Sequence, residues 1–127
     1  MKKRHRLRFR QLAGFYSIVR LARDAEIPDW AVKGEFNSIT RTGDELSIVC
    51  PTDSLPRDAQ LQSRWVCLKL EGPFALSQTG VLLSFIEPLS ENNIAIFTIS
   101  TYDTDYVLIE SDREAHALEL LRDAGHG

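Results

Sequence analysis

The sequence predicts an α+β fold of ferredoxin-like type: an antiparallel sheet with its two long helices packed on one face, built as two related halves at residues 1–62 and 63–127. Three observations predict it. The second half alternates periodicities in the order strand, helix, strand, strand, helix. Its first helix carries an apolar stripe at Leu82, Phe85, Ile86 and Leu89, the i, i+3, i+4, i+7 spacing of a face that must be covered. The first half repeats strand patterns around a single very short helical turn, a degenerate version of the same order.

The elements follow in turn. From Arg4 to Arg10, basic residues alternate with His5, Leu7 and Phe9, a strand period with a basic solvent face that would protect a sheet edge. Ala13-Gly14 breaks it, and Phe15 to Leu21 is a second strand rich in aromatic and β-branched residues. Pro28 to Val32 reads as one helical turn with Trp30 as a core plug, ended by Gly34. Phe36–Arg41 and Glu45–Cys50 form a hairpin through Thr42-Gly43-Asp44, and Pro51 stops it. Asp53 to Gln62 is a polar connection between halves.

Arg64 to Leu70 is a strand whose core face is Val66, Leu68 and Leu70. Glu71-Gly72-Pro73-Phe74 turns the chain toward a helix from about Gly80 to Glu91, with Thr79 or Ser77 as its N-cap. Pro88 cannot donate to the carbonyl of Ser84, so a kink or early end is expected there. Asn92-Asn93 suit the helix exit. Strands from Ala95 to Ser100 and from Thr104 to Ile109 follow. The last helix starts at Ser111, with Glu114 at capping-box spacing, presents Ala115, Leu118 and Leu121 on one face, and stops at Gly125.

Bulk properties narrow the function. At 127 residues and 43% hydrophobic content the chain can bury a real core, so Cys50 and Cys67 are expected to be buried thiols in a reducing compartment. Residues 1–10 hold six bases and no acid, whereas the other 117 hold nine bases and eighteen acids, a net of −9. Nucleic-acid binding is disfavoured, since no aromatic-rich basic surface continues that end. No apolar run approaches the ~20 residues of a membrane span, and no secretory segment follows the basic residues. A cytoplasmic protein is expected.

Catalytic motifs such as GxxxxGK[ST], GxGxxG, GxSxG and HExxH are missing. His5 and His126 lie near the ends, and His116 is expected on a solvated helix face. Asp103 and Asp105 lack a third acid at metal-ligand spacing, so no metal and no cofactor are expected. What remains is recognition of a small zwitterion. The helix start at Thr79-Gly80 offers free backbone N–H groups and a positive dipole end for a carboxylate. Asp103, Asp105, Thr101 and Thr104 could accept hydrogen bonds from an ammonium group. The reading places the strands flanking this helix side by side, which would bring their loops to the helix start.

At these residues the sequence resembles a known family. Glu71-Gly72-Pro73, Thr79-Gly80-Val81, Pro88-Leu89 and above all the run Ile99-Ser100-Thr101-Tyr102-Asp103-Thr104-Asp105-Tyr106-Val107-Leu108 are similar to ACT-domain proteins related to the cytosolic arginine sensor. Glu45 to Pro51 is similar to small bacterial members of that group. The likeness covers nearly all of residues 7–126. It implies a non-enzymatic regulatory module that binds a free amino acid, acts as a sensor, and pairs as a homodimer, with no membrane and no nucleic acid. By position, the resemblance puts loop contacts on Ala75, Ser77, Gln78, Thr79 and Gly80, and strand-end contacts on Thr101, Tyr102, Thr104 and Asp105. One position departs: Gln78 stands where the sensor has an acid that helps hold a cationic side chain, so a neutral or polar amino acid is expected instead of arginine. A rival reading is a protein-interaction module whose pocket is empty.

Overall fold

The computed structural model describes residues 5–61 and 63–127. Its seven strands are β1 (Phe9–Gln11), β2 (Tyr16–Leu21), β3 (Ser38–Arg41), β4 (Leu46–Pro51), β5 (Trp65–Leu70), β6 (Ile96–Ser100) and β7 (Asp105–Glu110). The helices are α1 (Val81–Glu91) and α2 (Glu114–Asp123), with short 3-10 turns elsewhere. The chain divides into two compact units, one formed by residues up to Leu12 together with Val66–Gly127, the other by Ala13–Trp65. The first unit draws on both ends of the chain. The split at residue 62 therefore describes sequence order and not the contacts of the N-terminal segment.

The first unit is an α+β fold with mostly antiparallel pairing and two helices. Its strands run in the order β1, β5, β7, β6. β1 pairs antiparallel with β5, Phe9 opposite Leu70, and β6 pairs antiparallel with β7, Ile96 opposite Ile109 and Ser100 opposite Asp105. This corrects one expectation. The strands that flank α1 are not neighbours, because β7 lies between them. The helical crossover carries the chain past one strand position, and the tight 101–104 turn brings β7 back into it. The loop before α1 still meets the β6–β7 turn, through β5 and β7 being adjacent.

The core of this unit follows the predicted stripes. Val66, Leu68 and Leu70 of β5 and Val107 and Ile109 of β7 pack with Val81, Phe85 and Leu89 of α1. On α2 the buried positions are Ala117 and Leu121, with Leu118 half-buried, while Ala115 faces solvent. A 3-10 turn at Ser111–Arg113 precedes α2, which begins at Glu114 and not at Ser111, and no side-chain capping bond forms at its start. In the N-terminal segment Leu7 is buried and Phe9 meets the Phe85 ring edge-on at 5.3 Å, while Arg6, Arg8 and Arg10 are exposed. The predicted basic outer face therefore holds from His5 onward; Lys2, Lys3 and Arg4 lie outside the described residues.

α1 runs through Pro88 to Glu91 with no early end. The reason is a substituted donor. The Ser84 carbonyl, which a residue-88 N–H would ordinarily reach, is met by the His126 ring at 3.0 Å. At the exit, Asn93 takes a left-handed conformation and Ile94 N donates to the Leu89 carbonyl.

The second unit is a three-stranded antiparallel sheet in the order β3, β4, β2, with Tyr16 opposite Pro51 and Ser38 opposite Val49. The predicted hairpin turn is present: Thr42 Oγ1 accepts from the N–H groups of Asp44 and Glu45, both at 3.1 Å. Leu46, Ile48, Cys50 and Leu55 bury together with Ala31, and Trp30 packs half-buried beside them. The short turn is a 3-10 helix at Asp29–Val32.

Candidate functional site

Gly80 decides how α1 begins. It sits at the cap position with φ 79° and no side-chain capping bond. The left-handed turn stands where a capping hydroxyl was expected, so neither Thr79 nor Ser77 caps the helix. The first intrahelical bond runs from Ser84 N to the Gly80 carbonyl at 3.0 Å. The amides of Val81, Leu82 and Leu83 have no partner within the helix and point outward from its start.

The loop from Glu71 to Gly80 is tied to the β6–β7 turn by main chain. Phe74 N donates to the Asp103 carbonyl at 2.8 Å. Gly72 makes this approach possible, since a Cβ there would lie 3.0 Å from the same carbonyl oxygen. The turn is itself stiff. Thr101 N donates to the Thr104 carbonyl at 2.8 Å, and the Thr101 hydroxyl donates to that carbonyl at 3.1 Å. The buried Thr104 hydroxyl donates to the Leu70 carbonyl at 2.8 Å, pinning the turn to β5. Ser100 Oγ donates to the Asp105 carboxylate across the strand pair.

Loop, helix start and turn enclose a cleft of about 290 Å³. Of the residues expected from sequence, Ala75, Gln78, Gly80, Thr101, Tyr102, Thr104 and Asp105 line it; Ser77 and Thr79 do not and are exposed. Sequence reasoning missed Ser100, whose signal was available: a four-residue turn places residue 100 opposite 105, so its hydroxyl reaches the acid. It also missed the apolar wall of Phe74, Leu76 and Leu82. Among the described residues the lining contains two acids, Asp103 and Asp105, and no Lys, Arg or His, and the His5 ring lies beside Gly80. The N-terminal end of α1 supplies positive potential there. One end of the cleft thus favours an anion and the other a cation, in a space suited to a ligand of amino-acid size.

Among the described residues, no group of three or more His, Cys, Asp and Glu side chains is placed to hold a metal ion, and no helix is long and apolar enough to cross a membrane. Cys50 and Cys67 are buried thiols and not joined in a disulfide.

The fold and the cleft define an ACT-type module, and comparison with known proteins agrees. The ACT domain model matches residues 60–123, half of the chain, so the chain belongs to the ACT domain family. A second family model, an N-terminal domain, matches residues 14–58. The human protein CASTOR3P is 32% identical over 88 residues, which are 59% of this chain and 54% of that protein. The chain spans about half the length of this relative. Among solved structures, Atu0741 from Agobacterium tumefaciens is 45% identical with a TM-score of 0.86, over 97% of this chain and 92% of that one. VC0802 from Vibrio cholerae, a protein of unknown function, has a TM-score of 0.72 at 17% identity, over 89% and 85% of the two chains, and shares the fold.

Proposed function

We propose that this chain is a non-catalytic regulatory protein that binds a free amino acid in the cleft before α1. The ligand carboxylate meets the amides at the start of α1, near Thr79-Gly80, and its ammonium group meets Asp105. The observation that carries this reading is the pairing of two opposite fields in one small cleft: an uncapped helix start on one side, and on the other two acids with no basic side chain among the described lining residues. The buried Thr104 hydroxyl donates to the Leu70 carbonyl and so shapes the turn, while the Asp105 carboxylate is the charged and stronger acceptor for the ammonium. Gln78 lines the cleft with a neutral amide, which suits a neutral or polar side chain better than a guanidinium. Membership of the ACT family supports a regulatory role, and the resemblance to the arginine-sensor group supports sensing by a cytoplasmic homodimer.

A thermal-shift panel of the common amino acids tests this. A ligand that binds only the folded state at 100 times its Kd adds about 2.7 kcal/mol, a rise on the order of 10 °C for a chain of this size. Asp105→Ala should remove the shift while the unliganded protein still melts cooperatively, and Ser100→Ala should weaken it only partly. If no amino acid at millimolar concentration moves the melting temperature, the binding reading fails. One observation would then favour a protein-interaction module: Leu76 and Tyr102 are 71% and 78% exposed beside the cleft.

A further inference from the structure

His126 occupies an unusual position for a residue that follows a helix. Gly125 takes φ 93°, and the chain reverses so that Gly125 N donates to the Arg122 carbonyl and His126 N to the Leu121 carbonyl, both at 2.9 Å. That reversal turns the imidazole inward, leaving it 4% exposed. Its two nitrogens have different partners. Nδ1 accepts from Leu7 N at 3.1 Å, and Nε2 lies 3.0 Å from the Ser84 carbonyl, which Pro88 leaves without its helical donor. A carbonyl can only accept and an amide N–H can only donate. The ring is therefore the neutral tautomer with its proton on Nε2.

We propose that His126 is an acid-released clasp: the neutral ring holds the N-terminal segment to α1, and protonation of Nδ1 frees that segment while the remainder of the first unit stays folded. A proton on Nδ1 would face the Leu7 N–H donor to donor, and the buried amide would lose its acceptor. The other holds on the segment are the three-residue pairing of β1 with β5, the main-chain bonds of Glu71 N to the Arg8 carbonyl and Gly127 N to the Leu7 carbonyl, the burial of Leu7 and the Phe9 ring contact to Phe85; the His126 bond is the one among them that a proton removes. Release also moves His5, whose N–H donates to Ser84 Oγ and whose ring lies beside Gly80 at the start of α1.

The charged groups around the ring come from every packed element. The N-terminal segment brings His5 and Arg6, the latter lying against Gly125; α1 brings Glu87 and Glu91, which share a cavity with the ring; the end of α2 lines that cavity with Ala124, and its charged Arg122 and Asp123 are exposed. The Phe85 ring lies 5.2 Å away. Burial lowers the His126 pKa below its ordinary 6.5, offset in part by the bond to the Ser84 carbonyl. The released state binds the proton more readily than the closed one. Closure is therefore fully supported above pH 6.5 and weakens as the pH falls below it.

Amide hydrogen exchange on the full chain from pH 8 to pH 4.5 tests the clasp. After correction for intrinsic rates, protection of Leu7 and Leu12 should fall by up to about tenfold per pH unit below 6.5, while Val107 in β7 keeps its protection. His126→Gln, which has an amide but no titration, should flatten that response. The proposal is overturned if Leu7 stays as protected as Val107 throughout, if both are lost together, or if His126→Gln responds like wild type. Should that variant not fold, ring titration of the wild type by NMR decides. The Leu7 loss must share its midpoint with His126; a midpoint shared with His5 or His116 sinks the idea.

Discussion

Two side chains without charge illustrate how single residues set the properties of this molecule. Gly72 is small because the loop and the β6–β7 turn meet backbone to backbone there. Gly72→Ala would bring a methyl group to 3.0 Å from the Asp103 carbonyl and 3.2 Å from the Phe74 ring. The expected cost is about 1–3 kcal/mol in a urea titration, with weaker binding in the cleft as the loop retreats. Cys50 is fully buried, and burial pushes its thiol up to about 11. On the order of one part in a thousand is then thiolate at pH 8, and the thiolate is the reactive form. An aromatic disulfide reagent should leave Cys50 unmodified in the native protein and modify it fully in urea; reaction at a free-thiol rate in buffer would contradict this. The cysteines were legible in the sequence as buried thiols. The role of His126 was not, because nothing in its position next to Gly127 announces that Gly125 folds it back under the helix.

At the scale of elements, α1 and the chain after α2 are coupled through Pro88. A proline eight residues into an eleven-residue helix should break it. It survives because a side chain distant in sequence supplies the missing donor. His126→Ala removes the acceptor of Leu7 N and the donor to the Ser84 carbonyl together and leaves a void. A loss of about 2–5 kcal/mol is expected by urea titration. In a Pro88→Ala background the residue-88 N–H can reach the carbonyl, so the same change should cost about 1 kcal/mol less; an identical cost in both backgrounds would show that the helix and the ring are not coupled. Periodicity alone identified α1, β5, β6 and β7 with ends displaced by a residue or so. It misplaced the helix cap, since Gly80 leaves the amides open where Thr79 or Ser77 would have closed them. It also misjudged the face of α2: Ala115 and Leu121 are six residues apart and lie roughly 120° from each other around the helix, whereas the buried Ala117 and Leu121 are four apart on one face. Local spacing carries no information about the cap, because it depends on what the neighbouring loop does.

The whole molecule is organised by a permuted order. The first unit needs a strand beside β5, and the sequence supplies it at the front of the chain, separated from β5 by the entire second unit. The ring of contacts closes where Gly127 N donates to the Leu7 carbonyl at 2.9 Å. Residues 63–127 alone should therefore unfold at lower urea than the same residues continued by a short linker into residues 5–12. Equal stability of the two would show that β1 is dispensable. The alternation from Arg4 to Arg10 predicted a strand with a basic face; the strand itself spans only Phe9–Gln11, and Arg6, Arg8 and Arg10 are exposed. Its partner was beyond reach of the pattern, because alternation specifies which face is buried and not which strand lies alongside.

That order has a consequence for synthesis. The segment that completes the first unit leaves the ribosome before anything it can pair with exists. The second unit, contiguous from Ala13 to Trp65, can close as soon as it emerges. At roughly 5–20 residues per second, the arginine-rich arm then waits several seconds for β5, α1 and His126 to arrive. Throughout that interval Leu7 and Phe9 have no apolar surface of their own unit to cover, and the arm's positive charges alternate with them along its length. The same alternation that gives the finished strand its outer face keeps the waiting segment soluble and too charged to pair with a second copy.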